Sequence, residues 1–199
     1  MPRQPDPELE QRVLNAAHAL LRRGGEQALT MRAVARAAGS NTPAVYRRFK
    51  DRRDLIQGML QRTVERLGEI FDSADSLEEM AEMYVEMALR EPEEFELFYK
   101  HGNEFLTRRH RGKPQTIREI RPNFGRLEGQ LAKRLGGEVD DHTRLALAIW
   151  AILHGTTSLL LSKSIPQGHE PQLRQACRDA IQALLAGSAN FSVAPARRR

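Results

Sequence analysis

Apolar residues recur at three- and four-residue spacing along nearly the whole chain. No segment alternates apolar and polar positions with period two over a useful length. The pattern therefore predicts an all-α fold of about nine helices. Asp6-Pro7 has the form of an N-cap followed by proline at the first helical position, and Leu9, Val13, Ala16, Ala17, Leu20 and Leu21 form a stripe that stops at Gly24-Gly25. A short helix over 31–38 presents Met31, Val34, Ala35 and Ala38, and after Gly39 another runs from Thr42 to Phe49. Asp51 caps a long helix over 51–72 with Leu55, Ile56, Met59, Leu60, Val64, Leu67, Ile70 and Phe71. Ser76-Leu77-Glu78-Glu79 is a capping box that opens a fifth helix, with Met80, Met83, Tyr84, Met87 and Ala88 on one face. Pro92 opens a sixth, carrying Phe95, Leu97, Phe98 and Tyr99, and 102–114 reads as a loop. A helix over 115–135, bent at Pro122, precedes two more near 140–163 and 169–187, separated by Pro166-Gln167-Gly168. From Ser188 onward, with Pro195 and three terminal arginines, the composition predicts a disordered tail.

The densest break in this helical pattern is "RAAGSNTPAVYRRFK", residues 36–50. Ala35, Gly39 and Val45 stand at offsets 0, 4 and 10, the arrangement two helices need to cross tightly in a helix-turn-helix. Alanine is small at the crossing, glycine permits the positive φ of the sharp turn, and valine fills the angle between the helices. Asn41 or Thr42 can cap the second helix, and Pro43 suits its first turn. With Val45 turned inward, Thr42, Pro43, Ala44, Tyr46 and Arg47 fall on or near the outer face. Arginine toward guanine, threonine and alanine toward a thymine methyl, and tyrosine toward phosphate or base are the contacts such a face can make in a major groove. Thr30, Arg32, Lys50 and Arg52 flank it at positions suited to phosphate, and Arg48 either adds a phosphate contact or faces solvent.

Charge points the same way. The chain carries a net +5, but residues 1–62 hold 12 Lys/Arg against 6 Asp/Glu, while residues 69–96 hold eleven acids against Arg90 alone. One basic end facing a polyanion and an acidic middle facing something else fit that distribution; so does a solvated charged surface.

Residues 12–60, "RVLNAAHALLRRGGEQALTMRAVARAAGSNTPAVYRRFKDRRDLIQGML", resemble the N-terminal domain of TetR-family transcriptional regulators. The shared features are the paired alanines of the first helix, the glycine turn, "LTMRAVARAAG", "TPAVYRRF" and the "KDRRDLI" opening of the fourth helix. Further on, "PEEFELFYKHG" is similar to a proline-led sixth helix common in the family, and "WAILHG", Trp150 to Gly155, resembles the Trp-x-x-x-His-Gly element of one C-terminal subfamily. The resemblance implies an all-helical homodimer, a helix-turn-helix at each foot and a C-terminal domain that binds a small effector. Two positions depart from the pattern: Ser40 stands where a buried Val or Ile is usual, and Arg48 where an aromatic or His is common before Phe49.

The expected division is 1–53 for DNA binding, 54–187 for ligand binding and dimerisation, and 188–199 for the tail. Trp150 and His154 lie one turn apart on a mostly apolar helix. Core packing, with His154 satisfied by a backbone carbonyl, explains them; so does an effector pocket shared with Met83, Met87, Phe95, Phe98, Tyr99 and Phe105, since methionine and aromatic side chains line adaptable apolar cavities. Leu145 to Leu161 is apolar around too much of its circumference for a surface helix, and Ala176, Ala180, Ile181, Leu184 and Leu185 form a second stripe. Gly155 would let two helices approach, so a four-helix dimer seam is expected from the helices near 140–163 and 169–187.

Six histidines and the single Cys177 show no metal-ligand spacing, so no metal or other cofactor is expected. Asp140-Asp141-His142 reads as a helix cap rather than a ligand set. No nucleotide-binding loop or Gly-x-Ser-x-Gly is present, which leaves an enzyme reading with little support. A lone cysteine, the absence of a signal-peptide pattern at the start, and an apolar stretch below the roughly 20 residues of a bilayer span predict a cytoplasmic protein with no membrane partner. The expected function is a DNA-binding transcriptional regulator: a homodimeric repressor released from a palindromic double-stranded operator by a small apolar or amphipathic effector. Two alternatives stay open on sequence alone, a helical carrier or enzyme without an operator, and a sequence-indifferent architectural DNA-binding protein.

Overall fold

The computed structural model describes residues 8–108 and 116–191. Among them are ten α-helices and no strand: α1 (Leu9–Gly24), α2 (Met31–Ala37), α3 (Thr42–Arg48), α4 (Arg52–Ser73), α5 (Leu77–Arg90), α6 (Pro92–Arg108), α7 (Ile117–Ile120), α8 (Pro122–Leu135), α9 (Thr143–Leu161) and α10 (Glu170–Ala186). Short 3-10 turns lie at Glu26–Ala28, Val139–His142 and Ser188–Phe191.

The helices form two compact units. The first holds α1 to α3, the part of α4 up to Glu65, and α6; the second holds the rest of α4, α5 and α7 to α10. The expected boundary after residue 53 thus falls at the very start of α4, whereas the compact units divide between Glu65 and Arg66 and claim α6 for the first. Three causes put α6 there. Leu97 is buried in the first core, His18 of α1 and Glu94 of α6 meet at 2.7 Å with both side chains buried, and Arg53 of α4 pairs with Glu104.

Three boundaries differ from the sequence expectation. The stretch 102–108 is helix, not loop, because α6 continues to Arg108 with Gly102 and Leu106 on its buried side. The helix expected over 115–135 is two helices. Proline has no N–H and forces its predecessor out of helical geometry, and Arg121 accordingly sits at φ −125°, ψ 86°. Ser188–Phe191 is a 3-10 turn whose Phe191 packs on the second core, so the expected tail is ordered at its start; the rest of it lies outside the described residues, as does the Asp6-Pro7 cap.

The second unit is built around α9. Its buried face (Leu145, Ala146, Ile149, Leu153, Thr156, Thr157) is met by α5, α8 and α10. Val139–Leu161 forms 23 residues of mean hydropathy 1.4 at its most apolar, enough by length and composition to cross a bilayer; α5, α8 and α10 pack along it, and 33% of that apolar window is buried in the single chain. At the α7–α8–α9 junction, buried Glu128 pairs with Arg118 at 2.8 Å and accepts from the Thr143 hydroxyl at 2.5 Å, so its charge is compensated by a cation and a hydroxyl. Arg118 also reaches Asp140 at 2.5 Å, and Asp141 accepts from the Glu138 N–H, giving the Asp-Asp-His run the capping role expected of it.

Candidate functional site

The corner between α2 and α3 is closed by backbone. Gly39 adopts φ +63°, the left-handed conformation that an L side chain resists. The Gly39 N–H donates to the Arg36 carbonyl at 3.2 Å and the Ser40 N–H to the Ala35 carbonyl at 2.9 Å, which is a Schellman motif. The closing bond at position 40 thus comes from the main chain, so serine there does not leave the turn open. Thr30 Oγ1 accepts from the Ala33 N–H and caps α2; Asn41 Oδ1 accepts from the Ala44 N–H at 2.8 Å and caps α3. Val45 is fully buried between the helices with Ala35 and Val34.

That inward turn of Val45 fixes what α3 shows to solvent. Tyr46 is 49% exposed, a large aromatic held out of the core, and Asn41, Pro43 and Arg47 are exposed beside it, with Thr42 half-buried. Thr30, Arg32 and Lys50 are exposed on the flanks. Three expected members sit differently. Ala44 is buried, because the short α3 packs two neighbouring positions inward. Arg52, though its side chain stays 43% exposed, donates to the Leu29 carbonyl at 2.8 Å and to the carbonyl and carboxylate of Glu26, so it fastens α4 to the 3-10 turn. Arg48 pairs with Glu10 of α1 at 2.7 Å. Sequence position showed these two as cations near the reading helix; their partners, 26 and 38 residues away, were not visible. Arg36, exposed in the last turn of α2, adds a cation that the expected contact set did not include.

The residues expected at an effector pocket divide between the units. Phe95, Phe98, Tyr99 and Phe105 belong to α6 and the first unit: Phe98 and Phe105 pack on the first core and Tyr99 is 70% exposed. Met83, Met87, Trp150 and His154 belong to the second, where Trp150 and Met83 pack on its core and Met87 is half-buried. There Trp150 and His154 gather residues that the sequence pattern had not singled out. The Tyr84 hydroxyl lies 3.1 Å from His154 Nδ1, so a phenol meets the imidazole. The Arg121 guanidinium lies over the Trp150 ring, 5.1 Å from its centroid, and Phe124 meets Trp150 edge-on at 5.9 Å. Burial, followed by the nearby Arg121 cation, holds His154 below the ordinary imidazole value, and burial pushes the Tyr84 phenol up to about 12. Phenol and imidazole therefore both stay neutral near pH 7, and the cluster's charge is that of Arg121.

Comparison with known proteins bears on both parts. Residues 13–59 match the family model of bacterial regulatory proteins of the tetR family, and residues 77–184 match the tetracycline-repressor-like C-terminal domain. No curated protein matches the sequence at significance. Among solved structures, a protein of Pseudomonas aeruginosa PAO1, proposed to be a transcriptional regulator, superposes with a TM-score of 0.66 at 20% identity, covering 96% of this chain and 97% of that one. A TetR-family transcriptional regulator from Streptomyces coelicolor gives 0.62 at 23% identity over 90% and 99%. The multidrug binding protein EbrR, complexed with proflavin, gives 0.57 at 20% identity over 89% and 99%. These likenesses carry the fold, while the two family matches carry the kinship. With the corner at 31–48 built as a helix-turn-helix and the C-terminal match alone spanning more than half the sequence, the chain belongs to the TetR family of DNA-binding transcriptional regulators.

Proposed function

We propose that the protein is a cytoplasmic repressor that binds a palindromic operator as a homodimer and leaves it when a small apolar or amphipathic effector enters the second unit. The observation that carries the reading is the outer face of α3: a half-exposed Tyr46 beside exposed Arg47, on a helix whose inner face is locked by Val45. A major groove offers that pair base edges, with their hydrogen-bonding groups and thymine methyls, and flanking phosphates.

Support for the dimer lies on α9 and α10. Ala151, Gly155 and Leu159 are exposed at four-residue spacing along α9, and Ala176 and Ala183 seven residues apart along α10, a mostly small-residue apolar face of the kind two-fold helix pairs bury. Release follows as a population shift: effector binding favours an arrangement in which the reading heads are wrongly spaced. The uninterrupted α4, which contributes residues to both units, is the element suited to carry it. EbrR, complexed with proflavin, supports a small planar ligand as the kind of molecule such a second unit takes.

The test is a gel-shift on the DNA upstream of the protein's own gene, with wild type, Tyr46→Ala and Arg47→Ala. A palindromic fragment should be saturated in the presence of competitor DNA, and each substitution should weaken it by roughly ten- to a hundredfold, the cost of about 1–3 kcal/mol for one base contact. Circular dichroism should be unchanged. Equal affinity for any DNA would instead mean an architectural protein, and unchanged affinity in both variants would move the reading face elsewhere.

A further inference from the structure

Within the second unit, a groove lies where α5, α9 and α10 meet; its space, solvent at the mouth included, is about 380 Å³. Ala81 and Val85 of α5, Leu153 of α9 and Ile181 of α10 supply apolar walls, with Thr156 and Cys177 among them. Ala81, Thr156 and Cys177 are small side chains at a junction that larger ones would fill to the usual interior density. The charged lining residues Glu78, Glu82, Arg174 and Arg178 are half-exposed or exposed and form the mouth. Their charges are spent within the chain. Glu78 takes Arg134 at 2.7 Å, Glu82 takes Arg174 at 2.6 Å and Arg178 at 3.6 Å, and Arg174 also reaches Glu86 at 2.8 Å. Thr156 is the unspent group. The other buried threonines among the described residues, Thr63 and Thr157, donate to the carbonyls four residues earlier, of Met59 at 3.1 Å and Leu153 at 2.8 Å. Thr156 is 6% exposed and lines the groove, and its hydroxyl has no hydrogen-bond partner among the described residues.

We propose that this groove seats the effector, a small uncharged molecule with an apolar body and one hydrogen-bond acceptor, of the aryl ketone kind, turned inward to the Thr156 hydroxyl. This rests on the effector reading above and gives that ligand its place and its charge. A buried hydroxyl without a partner is destabilising, and an acceptor brought into the groove supplies the missing bond. An ionised head would lose its water between apolar walls, with the mouth charges already paired to one another, so a neutral group fits better. The groove also adjoins the proposed dimer face. Thr156 follows Gly155 on α9 and Cys177 follows Ala176 on α10, so a molecule wedged between these helices displaces the two elements that would form the seam.

Cys177 is the single cysteine of the chain, so alkylation by N-ethylmaleimide, read as a mass increase of the full chain, reports on this groove. Acetophenone, benzoate and benzylamine supply one ring at three charges, each titrated while labelling rate, melting temperature and operator release are followed. Acetophenone should raise the melting temperature, slow labelling about tenfold at about ten times its Kd, and release the operator. Both ions should bind about tenfold more weakly or worse. Thr156→Val keeps the shape and should weaken acetophenone about three- to tenfold, the worth of one neutral hydrogen bond. Ala81→Phe should fill the groove and abolish binding; where it does not fold, or where Cys177 is unreactive in the free protein, the melting shift and Thr156→Val decide. An ion that binds as tightly as the ketone overturns the neutral class. Melting shifts without Cys177 protection, or unchanged affinity in Thr156→Val, overturn the groove as the site. Protection without operator release overturns its assignment to the effector. No binding of acetophenone overturns the inference as a whole, and operator release by proflavin with Cys177 still reactive would then keep the effector reading and move its site elsewhere.

Discussion

At the scale of single residues, the foot of the molecule depends on how its charges are spent. Glu26 receives Lys100 at 2.7 Å, His101 at 3.1 Å and Arg52 at 3.0 Å, and so joins the 3-10 turn to both α4 and α6. The hydrogen bond from Lys100 is the chief cause of its lowered pKa. Burial opposes it, His101 and Arg52 add to it, and the carboxyl falls from the ordinary 4.5 to about 2. A depressed carboxylate contributes stability that is fully present above its unfolded value and is lost as pH falls through the folded one. Urea unfolding from pH 6 downward should therefore show Glu26→Gln less stable than wild type at pH 6, with the gap closing as pH falls from 4.5 toward 2. A gap independent of pH would mean that packing, not charge, holds the turn. The anchoring cluster also shows the limit of reading residues singly. Arg52 was expected as a phosphate contact because it stands beside the reading helix, and its contacts with Leu29 and Glu26 add a fastening role that the sequence did not show.

At the scale of elements, the helix-turn-helix was the most legible part of the chain because everything that builds it is local. A small residue, a glycine and a valine within eleven positions specify the crossing, and Asn41 caps the helix it precedes. Gly39→Ala meets no steric obstacle, since an added Cβ would have nothing within 4 Å. The cost comes from φ +63° and should be about 1 kcal/mol, measured as a lower urea midpoint with an unchanged slope. Asn41→Ala removes the cap bond and belongs to the same range. Elements whose limits depend on distant packing were less legible. The end of α6 was missed because Arg- and Gly-containing sequence after residue 102 resembles a loop, yet Leu106 is buried there. Pro122 was expected to bend one helix and instead separates two, with Arg121 displaced into the position where it meets Trp150.

At the scale of the whole molecule, the homodimer proposed above is the property on which operator reading would turn. A Cβ added at Gly155 would meet nothing within 4 Å in the single chain, so the helix has room for a side chain to leave there toward solvent. Gly155→Glu should place like charges across a two-fold seam. Sedimentation should then show monomer at concentrations where wild type is dimeric, and palindrome binding should fall to the affinity of one half-site. A dimer that persists in this variant would exclude the Gly155 face as the seam. The exposed Leu159, one turn further on, offers a second position on the same face.

The amino-acid sequence by itself determined the helical class, most helix starts, the reading corner and the family, because periodicity, caps and a glycine turn act between residues a few positions apart. It also placed Trp150 beside His154, neighbours on one helix. Only the tertiary structure decided that Arg48 and Arg52 pair with carboxylates of the chain, that α6 belongs with the reading unit, and that Tyr84 and Arg121 complete the cluster around Trp150. Those outcomes depend on side chains dozens of residues apart meeting after collapse, and on the desolvation of charge that such meetings impose. Neither is expressed in a local pattern.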